Sequence, residues 1–311
     1  MEPSLYPLIL EATRATRVQR AERVQSLWGG YGELLRVHLL GGATETVILK
    51  HVTPKAAPRG AEEARSHARK LRSYEVELAF YKGYAARTDE RCRVAAPLAV
   101  SAKGGRTLLL LEDLDAAGFP ARQGRRTHDL TPCLRWLAAF HARFLGARPD
   151  GLWREGTYWH LGTRPDELAR TGDLELREAA PVFDRALAGA RFRTLVHGDA
   201  KPANFCFSPD GQRVAAVDFQ YVGGGCGVKD VAYLLHGEVP PREEAALLDG
   251  YFAALREALE GTTVEVAALE AEWRALYPVA RADFVRFLAG WAGSYDASGR
   301  AAVREALHAC S

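Results

Sequence analysis

The stretch from Leu195 to Gln220 constrains this chain more than any other. It reads Leu195-Val196-His197-Gly198-Asp199-Ala200-Lys201-Pro202-Ala203-Asn204 and then, after a short gap, Val214-Ala215-Ala216-Val217-Asp218-Phe219-Gln220. Two short apolar runs enclose a polar loop rich in turn formers. The loop carries an Asp with an Asn five residues later, and the second run ends on another Asp. Phosphoryl transfer asks little covalent chemistry of a protein. It needs a group that orients the attacking hydroxyl and takes its proton, and oxygen ligands that hold metal on the phosphates. Asp199 suits the first task, and Asn204 and Asp218 the second. Magnesium accepts few carboxylates and completes its shell with phosphate oxygens.

The bulk numbers leave room for such a site and exclude other classes. At 311 residues the chain suits two lobes with a substantial core. Its 48% hydrophobic and 26% charged residues are wrong for a disordered chain. A net charge of +2 makes no electrostatic case for nucleic acid or an anionic membrane. The charge is uneven, with 13 acids and 7 bases from Asp230 onward. Solvated helix faces explain that excess, and a cationic partner would exploit it. The five cysteines are scattered without a C-x-x-C pair, so neither zinc nor a disulfide framework is suggested. Thiols of this kind fit the cytoplasm. No run approaches the length of a membrane helix, and the N-terminus lacks the pattern of a secretory signal.

Along the chain, residues 4–27 read as a helix. Glycines at 29, 30 and 32 then separate it from Leu34-Leu35-Arg36-Val37 and Thr46-Val47-Ile48-Leu49-Lys50, which read as strand, turn, strand. Residues 55–70 read as a charged loop running into an amphipathic helix over 71–86. Val94–Val100 and Thr107–Leu111 are strand-length. After Glu112-Asp113 the chain turns helical, over 130–145, 242–260 and 263–292. The expected fold class is therefore α+β: a small β-rich lobe over 1–111 and a larger, mainly helical lobe over 112–311. Gly29, Gly30 and Gly32 would let backbone N–H groups approach phosphate, although a hairpin needs glycine too.

H-G-D-x-x-x-x-N followed by D-F resembles the catalytic loop and metal-binding motif of the protein-kinase-like superfamily. Gly198 stands where protein kinases have Arg, as in the aminoglycoside phosphotransferase, choline kinase and ecdysteroid-kinase-like branch. The resemblance implies a bilobal kinase-like fold, ATP and Mg²⁺ as cofactors, and Asp199 as the catalytic base with Asn204 and Asp218 on the metal. It implies that Val47-Ile48-Leu49-Lys50 places Lys50 on the α/β-phosphates, and that Lys201 lies near the transferred phosphate. The Lys50 partner should be a Glu on the next helix. Glu75 and Glu77 compete, and Glu77-Leu78-Ala79-Phe80-Tyr81 favours Glu77 by its likeness to an E-x-x-F-Y pattern. Leu111-Glu112-Asp113-Leu114 looks like the hinge whose backbone pairs with adenine. Asp230 resembles the Asp that opens the next helix and braces the loop, with a helix N-cap as the plain reading. His141 reads as a hydrogen-bonded core histidine.

Segment length separates the acceptor classes. Only 11 residues lie between Asp218 and Asp230, and Gly-rich 222–227 leaves no room for a peptide platform. A small hydroxyl-bearing molecule is the expected acceptor, with neither nucleic acid nor membrane as partner. Trp273, Tyr277, Phe284, Phe287, Trp291 and Tyr295 are candidates to line its pocket, where aromatic walls would suit a choline-like cation. Core packing is the commoner use of such residues. The aromatic segment Gly151–Glu167 would form the lip of that pocket or pack the lobe. A catalytically silent nucleotide-binding scaffold and a protein kinase are the competing readings.

Overall fold

A computed structural model describes residues 1–103, 106–122, 129–293 and 295–310. Helix α1 (Tyr6–Thr13) leads into strands β1 (Arg17–Ser26), β2 (Gly32–Leu40) and β3 (Thr46–Val52). The long helix α2 (Ala61–Gly83) follows, then β4 (Pro97–Lys103), β5 (Arg106–Glu112) and the two-residue β6 (Ala121–Arg122). Helices α3 (Thr131–Arg143), α4 (Pro165–Arg170) and α5 (Leu174–Ala188) precede β7 (Thr194–Val196), β8 (Phe205–Phe207), β9 (Val214–Ala216) and β10 (Gly223–Gly225). The chain ends in α6 (Val228–Leu235), α7 (Pro241–Ala258), α8 (Val266–Trp291) and α9 (Ala297–Ala309). The fold is α+β, with an antiparallel sheet early and helices late.

Two compact units emerge. The first holds Met1–Asp89, Arg93–Arg122 and Cys206–Val217, and the second holds Glu90–Cys92, Gln123–Phe205 and Asp218–Ser311. The chain thus leaves the first unit after Arg122 and returns to it for one hairpin.

In the first unit the five-stranded sheet runs β1-β2-β3-β5-β4, antiparallel throughout. Strand periodicity sorts its side chains. Leu35, Val37, Val47, Leu49, Leu108 and Leu110 pack with Ile9 of α1 in one buried cluster. The alternate residue Val52 joins Tyr74 of α2 in another. Lys50 shares the parity of Val52, and so meets α2 rather than α1. The returning β8 pairs with β6, Cys206 opposite Arg122, and lies beside β9.

The expected helix over 4–27 stops early. After Thr13, Arg14 takes a left-handed conformation (φ 56°) and Arg17–Ser26 forms an edge strand on β2. Nine of that strand's ten residues are exposed. It therefore has no buried face, no period-two alternation to read, and is fixed by its partner's backbone instead.

In the second unit β10 pairs antiparallel with β7, Gly224 opposite Leu195. α3 packs on α7, and α8 packs on α4, α5, α6 and α9. Trp136, Phe140, Phe183 and Trp273 are fully buried among these helices. All five cysteines are free, four of them buried. No helix among the described residues is long and apolar enough to cross a membrane.

Candidate active site

In the second unit, β7 delivers His197, Gly198 and Asp199 at its end. Gly198 has φ 82°, and a Cβ there would fall 2.0 Å from the Tyr221 carbonyl oxygen. The turn requires glycine, which accounts for the second position of the motif. Asp230 then fastens the loop from below. Its carboxylate accepts from His197 N (2.6 Å) and Gly198 N (2.9 Å) and touches His141 Nε2 (3.2 Å). His141 Nδ1 meets the Tyr251 hydroxyl at 2.8 Å. Asp230 and His141 are fully buried. Asp230 is not the N-cap, which is Gly227; it sits in the first turn of α6, aimed back at the loop.

The Asp199 carboxylate is held by three donors. Oδ2 accepts from Asn204 Nδ2 (2.9 Å) and Lys201 Nζ (3.1 Å), and Oδ1 accepts from the Tyr233 hydroxyl (3.2 Å). Asn204 Nδ2 also donates to the Asp199 carbonyl (2.7 Å). This orients the amide so that its nitrogen faces Asp199. Its oxygen accepts no hydrogen bond from the described residues. Burial pushes the Asp199 carboxyl above the usual range; the Asp218 charge adds to this, and Lys201 opposes it. The two carboxylates therefore feel each other. Asp218 adopts φ 67°, ψ 64°, a left-handed conformation that Asp tolerates better than most residues.

Asn204 and Asp218 present only hard oxygen donors. Among the described residues no three His, Cys, Asp or Glu side chains gather to cage a metal. One amide oxygen and one carboxylate fit Mg²⁺, which draws the rest of its shell from phosphate and water.

In the first unit Lys50 Nζ reaches both carboxylate oxygens of Glu77, at 2.6 and 2.9 Å. The side chains are 10% and 5% exposed. Glu75 points elsewhere, to an exposed contact with Arg72 at 3.2 Å. Helical spacing decides between them. Glu77 lies three residues from Tyr74, which packs under the sheet, and Glu75 does not share that face.

Gly29 and Gly30 sit in the β1–β2 connection, where Lys55 Nζ donates to the Gly29 carbonyl. Gly32 begins β2 so close to β3 that a Cβ would fall 2.0 Å from the His51 carbonyl oxygen. At the expected hinge, arginines hold both carboxylates. Glu112 pairs with Arg93 (2.7 Å), and Asp113 accepts from Arg36 Nε (2.6 Å). Arg36 also bonds Asp115. Burial would raise the Asp113 carboxyl, but Arg36 and Thr46 outweigh it and hold it below its ordinary value.

Residues 23–276 match the profile of the phosphotransferase enzyme family, also called APH. The chain belongs to this family. The fold is similar to that of a microcompartment-associated aminopropanol kinase, at 17% identity and a TM-score of 0.57 over 99% of this chain and 95% of that one. It is also similar to Plasmodium vivax ethanolamine kinase (12%, 0.54, over 98% and 85%). A putative aminoglycoside phosphotransferase from Ralstonia eutropha follows (14%, 0.50, over 99% and 95%). At such identities the likeness is one of fold. No curated protein sequence matches the chain.

One neighbour of Asp199, Tyr233, went unread in the sequence, whereas Tyr158 lies in the segment Gly151–Glu167 that was read as lip or packing. Tyr233 lies on α6, three residues after Asp230, one turn along the same helix as the loop's brace. The Tyr158 ring meets it edge-on at 5.5 Å, and burial pushes the Tyr158 phenol up to about 12. The segment holding Tyr158 packs the lobe. Tyr158 N donates to the Gly198 carbonyl (3.0 Å), and Lys229 Nζ to the Gly156 carbonyl (3.0 Å). Of the six aromatics considered for the acceptor, Trp273 is core, edge-on to His141, and Tyr277 bonds Glu244 at 2.7 Å. Phe284 and Phe287 form a buried cluster with Trp159, and Trp291 is exposed.

Proposed function

We propose that this chain transfers the γ-phosphate of ATP to the hydroxyl of a small molecule. The observation that carries the reading is the Asp199–Asn204 hydrogen-bonded pair with the Asp218 charge in reach of it. Asp199 orients the acceptor hydroxyl and takes its proton as the oxygen–phosphorus bond forms and the bond to the leaving ADP oxygen breaks. The fixed amide of Asn204 offers its oxygen, and Asp218 its carboxylate, to Mg²⁺. When bound, the ion neutralises charge on the phosphates. Lys201 compensates charge near the transferred group.

The first unit supplies the nucleotide's grip: Lys50, held by Glu77, for the α/β-phosphates, the glycines at 29, 30 and 32 for backbone donation, and the strand exit at Glu112 and Asp113 for the adenine edge. We assign residues 1–111 to nucleotide binding, with the hinge at Glu112 and Asp113, and 112–311 to catalysis and the acceptor. The short segment between Asp218 and Asp230 supports a small acceptor over a peptide. Five free thiols support a reducing compartment, which we take to be the cytoplasm.

The test is ATP consumption across a panel of small alcohols, wild type against Asp199→Asn. Turnover should fall by about 10²–10⁴ with the loss of a general base. Equal consumption by the two proteins would refute the role of Asp199.

A further inference from the structure

Arg164 lies in an aromatic box. Its guanidinium carbon is 5.1 Å from the Trp291 ring centroid and 5.8 Å from those of Tyr158 and Phe287. All three fall within the range at which a ring face attracts a cation. Nε donates to the Tyr158 carbonyl at 3.0 Å, and Nη1 to Glu167 Oε1 at 3.3 Å. The Arg164 and Glu167 side chains are 11% and 4% exposed. Trp291, at 51%, gives the box a wall on the solvent.

The box shares a wall with the candidate active site. The Tyr158 ring packs edge-on against Tyr233 at 5.5 Å between centroids, and the Tyr233 hydroxyl donates to Asp199. The box is therefore one tyrosine pair from the proposed base. Three rings beside a buried carboxylate make the chemistry that captures an ammonium ion. Here the chain's own guanidinium occupies that place, and Glu167, which also lies 3.9 Å from Arg170 Nη1, neutralises it. A second cation would meet like charge where it sought π-faces. We infer that Arg164 is a specificity-determining residue that closes the box to cationic acceptors, so that the alcohol phosphorylated is neutral or anionic. This rests on the reading that the acceptor comes to Asp199.

The experiment uses tetramethylammonium and choline as probes, read by calorimetry and by tryptophan fluorescence on the full chain without nucleotide. Wild type should show no saturable binding up to tens of millimolar. Arg164→Gln, shorter and uncharged, should bind tetramethylammonium about tenfold or more tighter, since rings and Glu167 then face an open place. Arg164→Lys should keep the exclusion. If Arg164→Gln does not fold, Arg164→Met, which keeps the packing of the stem, is read in its place. Saturable binding of either probe by wild type at the affinity of the neutral variant overturns the inference, as does a folded neutral variant that gains nothing. Neither arm requires turnover, so a failure here is distinct from a failure of phosphotransfer.

Discussion

Two lysine–carboxylate pairs in this protein have the same chemistry and opposite settings. Lys50–Glu77 closes at 2.6 Å with side chains 10% and 5% exposed, between a central strand and the long helix α2. Lys201–Asp199 closes at 3.1 Å with the lysine 44% exposed, on a loop. Burial, not the partners, sets what each pair does. Removing one member of a buried pair strands a charge in low dielectric, whereas a pair with an exposed lysine, as here beside an Asp199 that is 11% exposed, is partly screened and contributes less. Lys50 is thus locked in one geometry, and Lys201 keeps a side chain 44% exposed.

Lys50→Met is the harshest way to break this comparison. It should cost about 3–5 kcal/mol of stability in urea unfolding, because Glu77 loses its buried partner. Adding Glu77→Leu should restore much of that loss. If the single variant unfolds at the wild-type midpoint, the pair is not the fastening described.

Lys201→Met should change unfolding stability by no more than about 1 kcal/mol. Phosphoryl transfer by the same variant should still fall, with nucleotide affinity little changed. A large loss of stability would place Lys201 with Lys50 and erase the distinction.

The smallest effect concerns His236. His236 is exposed as a residue, but its ring packs on Phe284; that desolvation first, and the Arg281 charge second, lower its pKa below the ordinary 6.5. Protonation therefore favours the unfolded chain. Stability should be full above pH 6.5 and decline as pH falls through that value toward the lower folded one. His236→Phe should flatten this part of a stability–pH profile. An unchanged slope would assign it to other groups.

The sequence made legible what local chemistry dictates. Gly198 and Glu77 were read there by likeness to the family's motifs, and the structure supplies the physics: a positive-φ turn at Gly198, and a helix that turns Glu77 inward and Glu75 outward. The Asp199–Asn204 spacing was readable because a tight loop leaves few ways to bring those two groups together. What depended on partners distant in sequence was not legible. Strand β1 exposes nearly all its side chains and is defined by β2's backbone, so its residues looked helical. Tyr233 reads as one more aromatic on an apolar helix, and nothing local announces that Asp230, one turn earlier, aims that helix at Asp199. The acceptor aromatics divided in the same way. Trp273 and Phe284 serve the core, whereas Trp291 surrounds Arg164, a cation that lies far from it in the chain.

The most direct test of the account is a crystal structure with Mg²⁺ and a non-hydrolysable ATP analogue. The account predicts a metal ion on the Asn204 amide oxygen and the Asp218 carboxylate, bridged to phosphate oxygens, with the Asp199 carboxylate facing the terminal phosphate. A nucleotide bound away from Asp218, or an ion that bypasses both ligands, would contradict it.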